Sequence, residues 1–156
     1  MPNYWMLVTT PENYQVTKEL GFTIQGFRAK HRRKAQRMQP KDRLLFYLKG
    51  ARRFAATASF IATFTEEHAR LWKDDAPGED FPYRVPIQPN VVLEDAEQMD
   101  ARELGPTLYY VRRWIPEEWY LAFQEDLHLL PQRDFFLIES EMRKLQNRRG
   151  LAPVRG

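Results

Sequence analysis

The chain of 156 residues contains no cysteine, three histidines and seven glycines. Without cysteine there is no disulfide framework and no thiolate zinc site, and the absence fits a reducing compartment. His31, His68 and His128 lie far apart, and neither Glu66-Glu67-His68 nor Asp74-Asp75 has companions at a metal-ligand interval. The glycines stand singly, so no phosphate loop, dinucleotide turn or nucleophile elbow runs through them. No run approaches the roughly 18 apolar residues of a membrane span. The N-terminus enters an apolar strand with no basic start or cleavage site of a secretory leader. The expectation is a soluble, cytoplasmic protein, with no metal and no cofactor, that is not an enzyme.

What the chain does have is a compact aromatic-rich composition, 43% hydrophobic and 13% aromatic, which suits one globular domain. It also has one concentrated block of positive charge. Of 24 bases and 21 acids in all, eight bases and a single acid (Asp42) fall between Arg28 and Arg43, so the rest of the chain is net negative. A basic block on an acidic domain is an electrostatic footprint, and a phosphate backbone is its commonest partner.

Local patterns predict the elements. Tyr4–Thr9 reads as a buried strand, and Thr10-Pro11-Glu12 as the cap and first turn of a helix ending near Gly21. Phe27–Met38 is predicted to be a second helix, packing through Phe27, His31, Ala35 and Met38 and showing cations to solvent. Asp42–Leu48 and Phe54–Phe64 read as an antiparallel pair around Gly50. Tyr83–Ile87 alternates, but Pro86 and Pro89 confine it to an edge. Thr107–Val111 is a further short strand, and Pro116–Gln124 and Pro131–Gln146 are helical. Residues 1–146 are expected to form one domain, with 147–156 a basic flexible tail. Strands interspersed with helices predict an α+β fold with a small curved or barrel-like sheet.

The basic helix can be a solvated face or a phosphate track. Its near lack of acids leaves like charges unpaired at i,i+4, which phosphates would offset. Trp5, Tyr47, Phe81, Tyr83, Trp114 and Trp119 are either core or a base-stacking set; Trp114, in a connection after Arg112-Arg113, best suits stacking. His31 lies on the packing face of its helix and is expected to be a core histidine.

The residues from Tyr4 to Glu12 resemble the Tyr-Trp-(apolar)₂-Lys-Ser-Glu-Pro opening of EVE domains, members of the PUA-like superfamily. Gly26-Phe27-Arg28 is similar to that family's Gly-Val-Arg-Asn stretch, and Met38–Tyr47 to its Met-Lys-x-Gly-Asp-x-x-x-Phe-Tyr. Phe81–Val85 and Arg113-Trp114 resemble a prokaryotic branch of EVE-type proteins, so the similarity spans roughly Asn3 to Leu145. The resemblance implies a PUA-like mixed β-barrel of five to six strands flanked by helices, related to YTH and ASCH domains. It also implies a pocket for a modified nucleobase beside a basic surface. Carried onto this chain, that pocket falls to Val8, Thr9, Thr10, Ile24, Gln25 and Gly26, with Trp114 from a later loop; the aromatic reading adds Trp5 and Tyr83 to the base pocket, and the basic block assigns the phosphate contacts to Arg28, Lys30, Arg32, Arg33 and Arg37.

Two departures stand out. Val8-Thr9 replaces Lys-Ser, removing a cation at the pocket edge, and Ile24-Gln25 replaces an aromatic before the glycine. Gln25 is expected to offer a donor and an acceptor to a base edge. The expected function is non-enzymatic binding of RNA or DNA, reading a modified or extruded base in single-stranded RNA or flipped DNA. The alternative is a small-molecule or nucleotide-binding domain with one phosphate contact.

Overall fold

A computed structural model describes residues 1–74, 76–112 and 116–151. In chain order the elements are β1 (Tyr4–Thr9), α1 (Pro11–Glu19), β2 (Ile24–Phe27), α2 (Arg32–Arg37), β3 (Arg43–Leu48), β4 (Arg53–Phe60), β5 (Thr65–Glu66), β6 (Tyr83–Val92), β7 (Met99–Asp100), β8 (Leu127–Leu129) and α3 (Gln132–Leu151). Short 3₁₀ segments fill the connections. The fold is α+β: a curled half-barrel sheet in the order β2-β6-β4-β3-β1-β8, with β5 added beside β6 and β7 beside β4.

β1 runs parallel to β3 and antiparallel to β8, and its residues are buried on both faces. Its alternate residues feed two cores: Tyr4, Met6 and Val8 join the one that includes α3, and Trp5 and Leu7 the one that includes Tyr14 of α1. Burial on both faces explains why the strand reads as an unbroken apolar run instead of alternating. The predicted start of α1 is present: Thr10 Oγ1 accepts the Asn13 amide at 3.1 Å, with Pro11 in the first turn. The antiparallel β3–β4 pair also forms as expected.

The second helix is shorter than predicted. Residues 24–27 pair with β6, residues 29–31 form one 3₁₀ turn, and only Arg32–Arg37 is α-helical. Lys30/Lys34 and Arg33/Arg37 would be like-charged i,i+4 pairs in a long helix, which offers no help against the sheet pairing. β6 is not an edge strand but lies between β2 and β4. Its first half pairs with β2 and its second with β4, and Pro89 lies where the β4 register shifts, so the prolines sit at breaks in the ladder. The expected strand at Thr107–Val111 is two 3₁₀ turns. The buried Asp134 carboxylate takes the amides of Tyr109 (2.9 Å) and Tyr110 (2.7 Å), which a strand would have spent on a neighbour. The segment 116–123 is 3₁₀ with a kink at Glu118, and α3 continues past Gln146 to Leu151. Among the described residues, no helix is long and apolar enough to cross a membrane.

Candidate functional site

The C-terminal end of β1, the start of α1, β2 and the long β5–β6 connection converge on a small recess of about 60 Å³. Val8, Thr9, Thr10 and Gln25, expected at the base pocket, line it, and so does Arg28, expected at the phosphates. So do Asn13, Lys49, Trp72, Phe81, Gln124 and Asp126. Lys49 brings to the rim a cation of the kind that Val8 takes away, and its amide holds the Thr9 carbonyl at 2.8 Å.

Three expected residues sit elsewhere. Trp5 is fully buried under the sheet, its indole N–H bonded to Asp42 at 3.0 Å, because β1 is covered on that face too. Tyr83 is packed edge-on against Phe64 in the core. Ile24 does not line the recess, since strand alternation gives Gln25 that face. Trp114 lies outside the described residues.

The aromatic wall is Trp72 and Phe81, with ring centroids 6.3 Å apart. Trp72 is held by a polar chain: its indole N–H donates to Thr17 Oγ1 (2.9 Å), that hydroxyl donates to Gln25 Oε1 (2.6 Å), and Gln25 Nε2 donates to the Gly26 carbonyl (2.8 Å). Gln25 therefore spends its acceptor and a donor inside the protein, and its expected base-edge role shrinks accordingly. Behind the indole lies the buried Arg84 guanidinium, 5.3 Å from the ring centroid. It donates to the carbonyls of Ala69, Asp80 (3.1 Å) and Phe81 (3.2 Å), gathering the β5–β6 connection around itself. Phe81 has φ of +51°, a strained conformation for an aromatic residue. Its amide is fixed by Glu79 Oε2 at 3.0 Å and its carbonyl by Arg84, so the surroundings impose that backbone.

Gly26 is needed here on steric grounds. A Cβ at that position would meet Trp72 Cζ3 at 2.5 Å and the Phe81 carbonyl oxygen at 2.9 Å, so only glycine lets the indole lie against β2.

The basic block divides in two. Arg28 pairs with Asp74 and Asp126 and lies 5.3 Å from the Phe81 ring centroid. Lys30 reaches Glu125 (3.5 Å) and Asp126 (3.7 Å), and His31 Nε2 bonds Asp126 at 2.7 Å, which makes His31 a satisfied, buried histidine as expected. Burial would raise the Asp126 carboxyl, but the His31 hydrogen bond and the charges of His31, Arg28 and Lys30 outweigh it and hold it below the ordinary value. Arg32, Arg33 and Arg37 are exposed and, among the described residues, make no ion pair. Among the described residues no cluster of three metal-ligating side chains occurs.

Sequence reasoning passed over Trp72. The signal was there: a lone tryptophan in a polar connection, followed by Lys73-Asp74, the same context that singled out Trp114.

Residues 3–108 match the EVE domain family model. A UPF0310 protein of Pyrococcus abyssi is 26% identical over 149 residues, covering 88% of this chain and 98% of the relative. Its counterpart in Pyrococcus horikoshii is also 26% identical, covering 87% and 96%. Among solved structures, the YTH domain of Zygosaccharomyces rouxii MRB1 in complex with N6-methyladenosine RNA superposes with a TM-score of 0.64 at 16% identity, covering 90% of this chain and 86% of that one. The YTH protein mmi1 in its RNA complex gives 0.69 at 9% identity, covering 96% and 87%. A hypothetical protein from Leishmania major gives 0.63 at 13%, covering 94% and 98%. The shared fold is PUA-like.

Proposed function

We propose, from the premise that this chain belongs to the EVE domain family, that it is a non-enzymatic nucleic-acid-binding module that seats one extruded base in the recess. The observation that carries the reading is the joining of an aromatic-walled recess to an unneutralised cationic surface. Trp72 and Phe81 form the wall, and Asp126 ties it to the segment that bears Arg32, Arg33 and Arg37. A stacked base presents no face to such a recess, so the substrate is single-stranded RNA or a flipped nucleotide.

In this reading Phe81 packs against the base, and the buried Trp72 indole backs that wall from behind. Thr9, Gln124 and Lys49 meet its edge, because Gln25 is occupied with Thr17 and Gly26. Arg28 is mostly a structural cation, neutralised by Asp74 and Asp126, while Arg32, Arg33 and Arg37 carry the phosphate contacts and Lys30 contributes from the rim. The RNA held by the YTH neighbours, N6-methyladenosine included, makes a modified base in RNA the first ligand class to test.

The test is a titration of the pure protein with plain and N6-methyladenosine-containing single-stranded oligonucleotides at several salt concentrations. Binding that weakens steeply with salt and separates modified from plain strands supports the reading. Tight binding of a free mononucleotide with a shallow slope would replace it with a nucleotide-binding domain. Failure of every oligonucleotide to bind at low salt would end it.

A further inference from the structure

On the other side of residues 124–127 lies a second, wider groove of about 820 Å³. Gln124 and Asp126 line the recess, whereas Glu125 and Leu127 line the groove. The two linings alternate along residues 124–127, so this one segment borders both cavities. Lys34 lines the groove too, its ammonium donating to the Leu127 carbonyl at 2.8 Å, and that joins the groove to α2 and the basic block.

The groove carries its own aromatic platform. Tyr109 is 40% exposed, with the Arg112 guanidinium 3.8 Å and that of Arg133 5.7 Å from its ring centroid. The platform is braced from below by the two amide bonds to Asp134. Behind it, Tyr110 Oη and His128 Nδ1 are bonded at 2.7 Å, and burial pushes the His128 imidazole below its ordinary value. Among the described residues the groove's one acid is Glu125, paired with Lys30. The charges facing the groove are thus chiefly cationic around an exposed ring.

Resting on the binding reading above, we infer that this groove is a second nucleotide subsite: the residue adjoining the pocketed base stacks on the Tyr109–Arg112 pair, and its phosphates meet Lys34 and Arg133. Exposed aromatics paired with arginine are the usual platform for unpaired bases, and the stacking is tolerant of sequence. The strand would then cross the wall at Glu125, from recess to groove, along the side that bears α2.

The experiment compares AMP, GMP, CMP and UMP with a randomised single-stranded RNA of about nine nucleotides, long enough to fill one binding surface of this kind. It uses the wild-type chain, Tyr109→Ala and Tyr109→Phe, with melting temperature recorded for each. The subsite predicts that Tyr109→Ala weakens the RNA by at least about fivefold, leaves mononucleotides unchanged and is rescued by Tyr109→Phe. With 5-iodouridine in the RNA, irradiation should cross-link Tyr109. If the RNA binds but Tyr109→Ala changes nothing and cross-links fall elsewhere, the groove is not a subsite while the recess reading stands. If RNA and mononucleotides all fail to bind, both fall. If acidic peptides displace nothing from the recess yet bind the groove tightly, the groove belongs to a protein partner and the subsite is overturned.

Discussion

Asn13 and Lys73 grip each other twice: Asn13 Nδ2 donates to the Lys73 carbonyl at 2.7 Å, and the Lys73 amide donates to Asn13 Oδ1 at 2.8 Å. One turn further along α1, Thr17 takes the Trp72 indole. The i,i+4 spacing therefore lets one helix face hold two consecutive residues of the connection that walls the recess. Asn13→Leu keeps the size but removes both the donor to the Lys73 carbonyl and the acceptor of the Lys73 amide. It should release the 70–74 segment, seen as faster hydrogen exchange of the Lys73 amide, and weaken base binding more than it lowers the melting temperature.

Thr17→Val tests the polar chain. It leaves the Trp72 N–H and the Gln25 carbonyl oxygen buried without their partner, a loss of about 1–3 kcal/mol of stability. Denaturant melts measure that loss. Stability equal to wild type would show that the chain has no role in fixing the indole.

Gly26→Ala asks whether the close approach matters. The added methyl group cannot coexist with Trp72 in place, and backbone at Phe81 blocks the other escape. The variant should lose base discrimination and shift the Trp72 emission spectrum, because the ring must leave β2.

Arg32→Ala/Arg33→Ala/Arg37→Ala should weaken every oligonucleotide alike and flatten the log–log salt slope by about 2, the value for three phosphates on a single strand. The three side chains are exposed, so melting temperature should hardly change. An unaltered slope would return them to the role of solvated surface.

Asp126 predicts an acid limb. Its folded-state pKa is depressed below 3.8, so the stabilisation is complete above the ordinary carboxylate range and disappears as pH falls through the depressed value. Asp126→Asn should lower stability at neutral pH and flatten the stability profile from the ordinary carboxylate range downward. Thermal melts across that range read both effects. Since the same change frees Arg28 and Lys30 from a carboxylate, it should also strengthen salt-sensitive binding to plain strands.

Elements with local signals could be read from the sequence. The apolar run of β1, the Thr10-Pro11 cap and the β3–β4 pair each depend on neighbours a few residues away. What escaped is set by distant partners. β6 looked like an edge strand because prolines forbid a full ladder, and only the change of partner along its length reconciles them with an interior place. The 3₁₀ turns at Tyr109 depend on a carboxylate 25 residues away. For the candidate site, Val8, Thr9, Thr10 and Gln25, which the family resemblance singles out, lie together around the recess, and Arg28, expected at the phosphates, joins them. Trp5 and Tyr83 were drawn in for being aromatic near those motifs, but strand pairing turned both into the core. Gln25's commitment to Thr17 could not be read at all, since it requires knowing that α1 lies across β2.

The β5–β6 connection hangs from fasteners that belong to other parts of the chain: Asn13 and Thr17 on α1, and Arg84 on β6. Its stretch between His68 and Pro82 supplies the aromatic wall while owning few of the groups that position it. Such an arrangement makes the wall interchangeable. Insertions near Pro77-Gly78, the solvent-facing tip, would reshape the recess while leaving the sheet as it is.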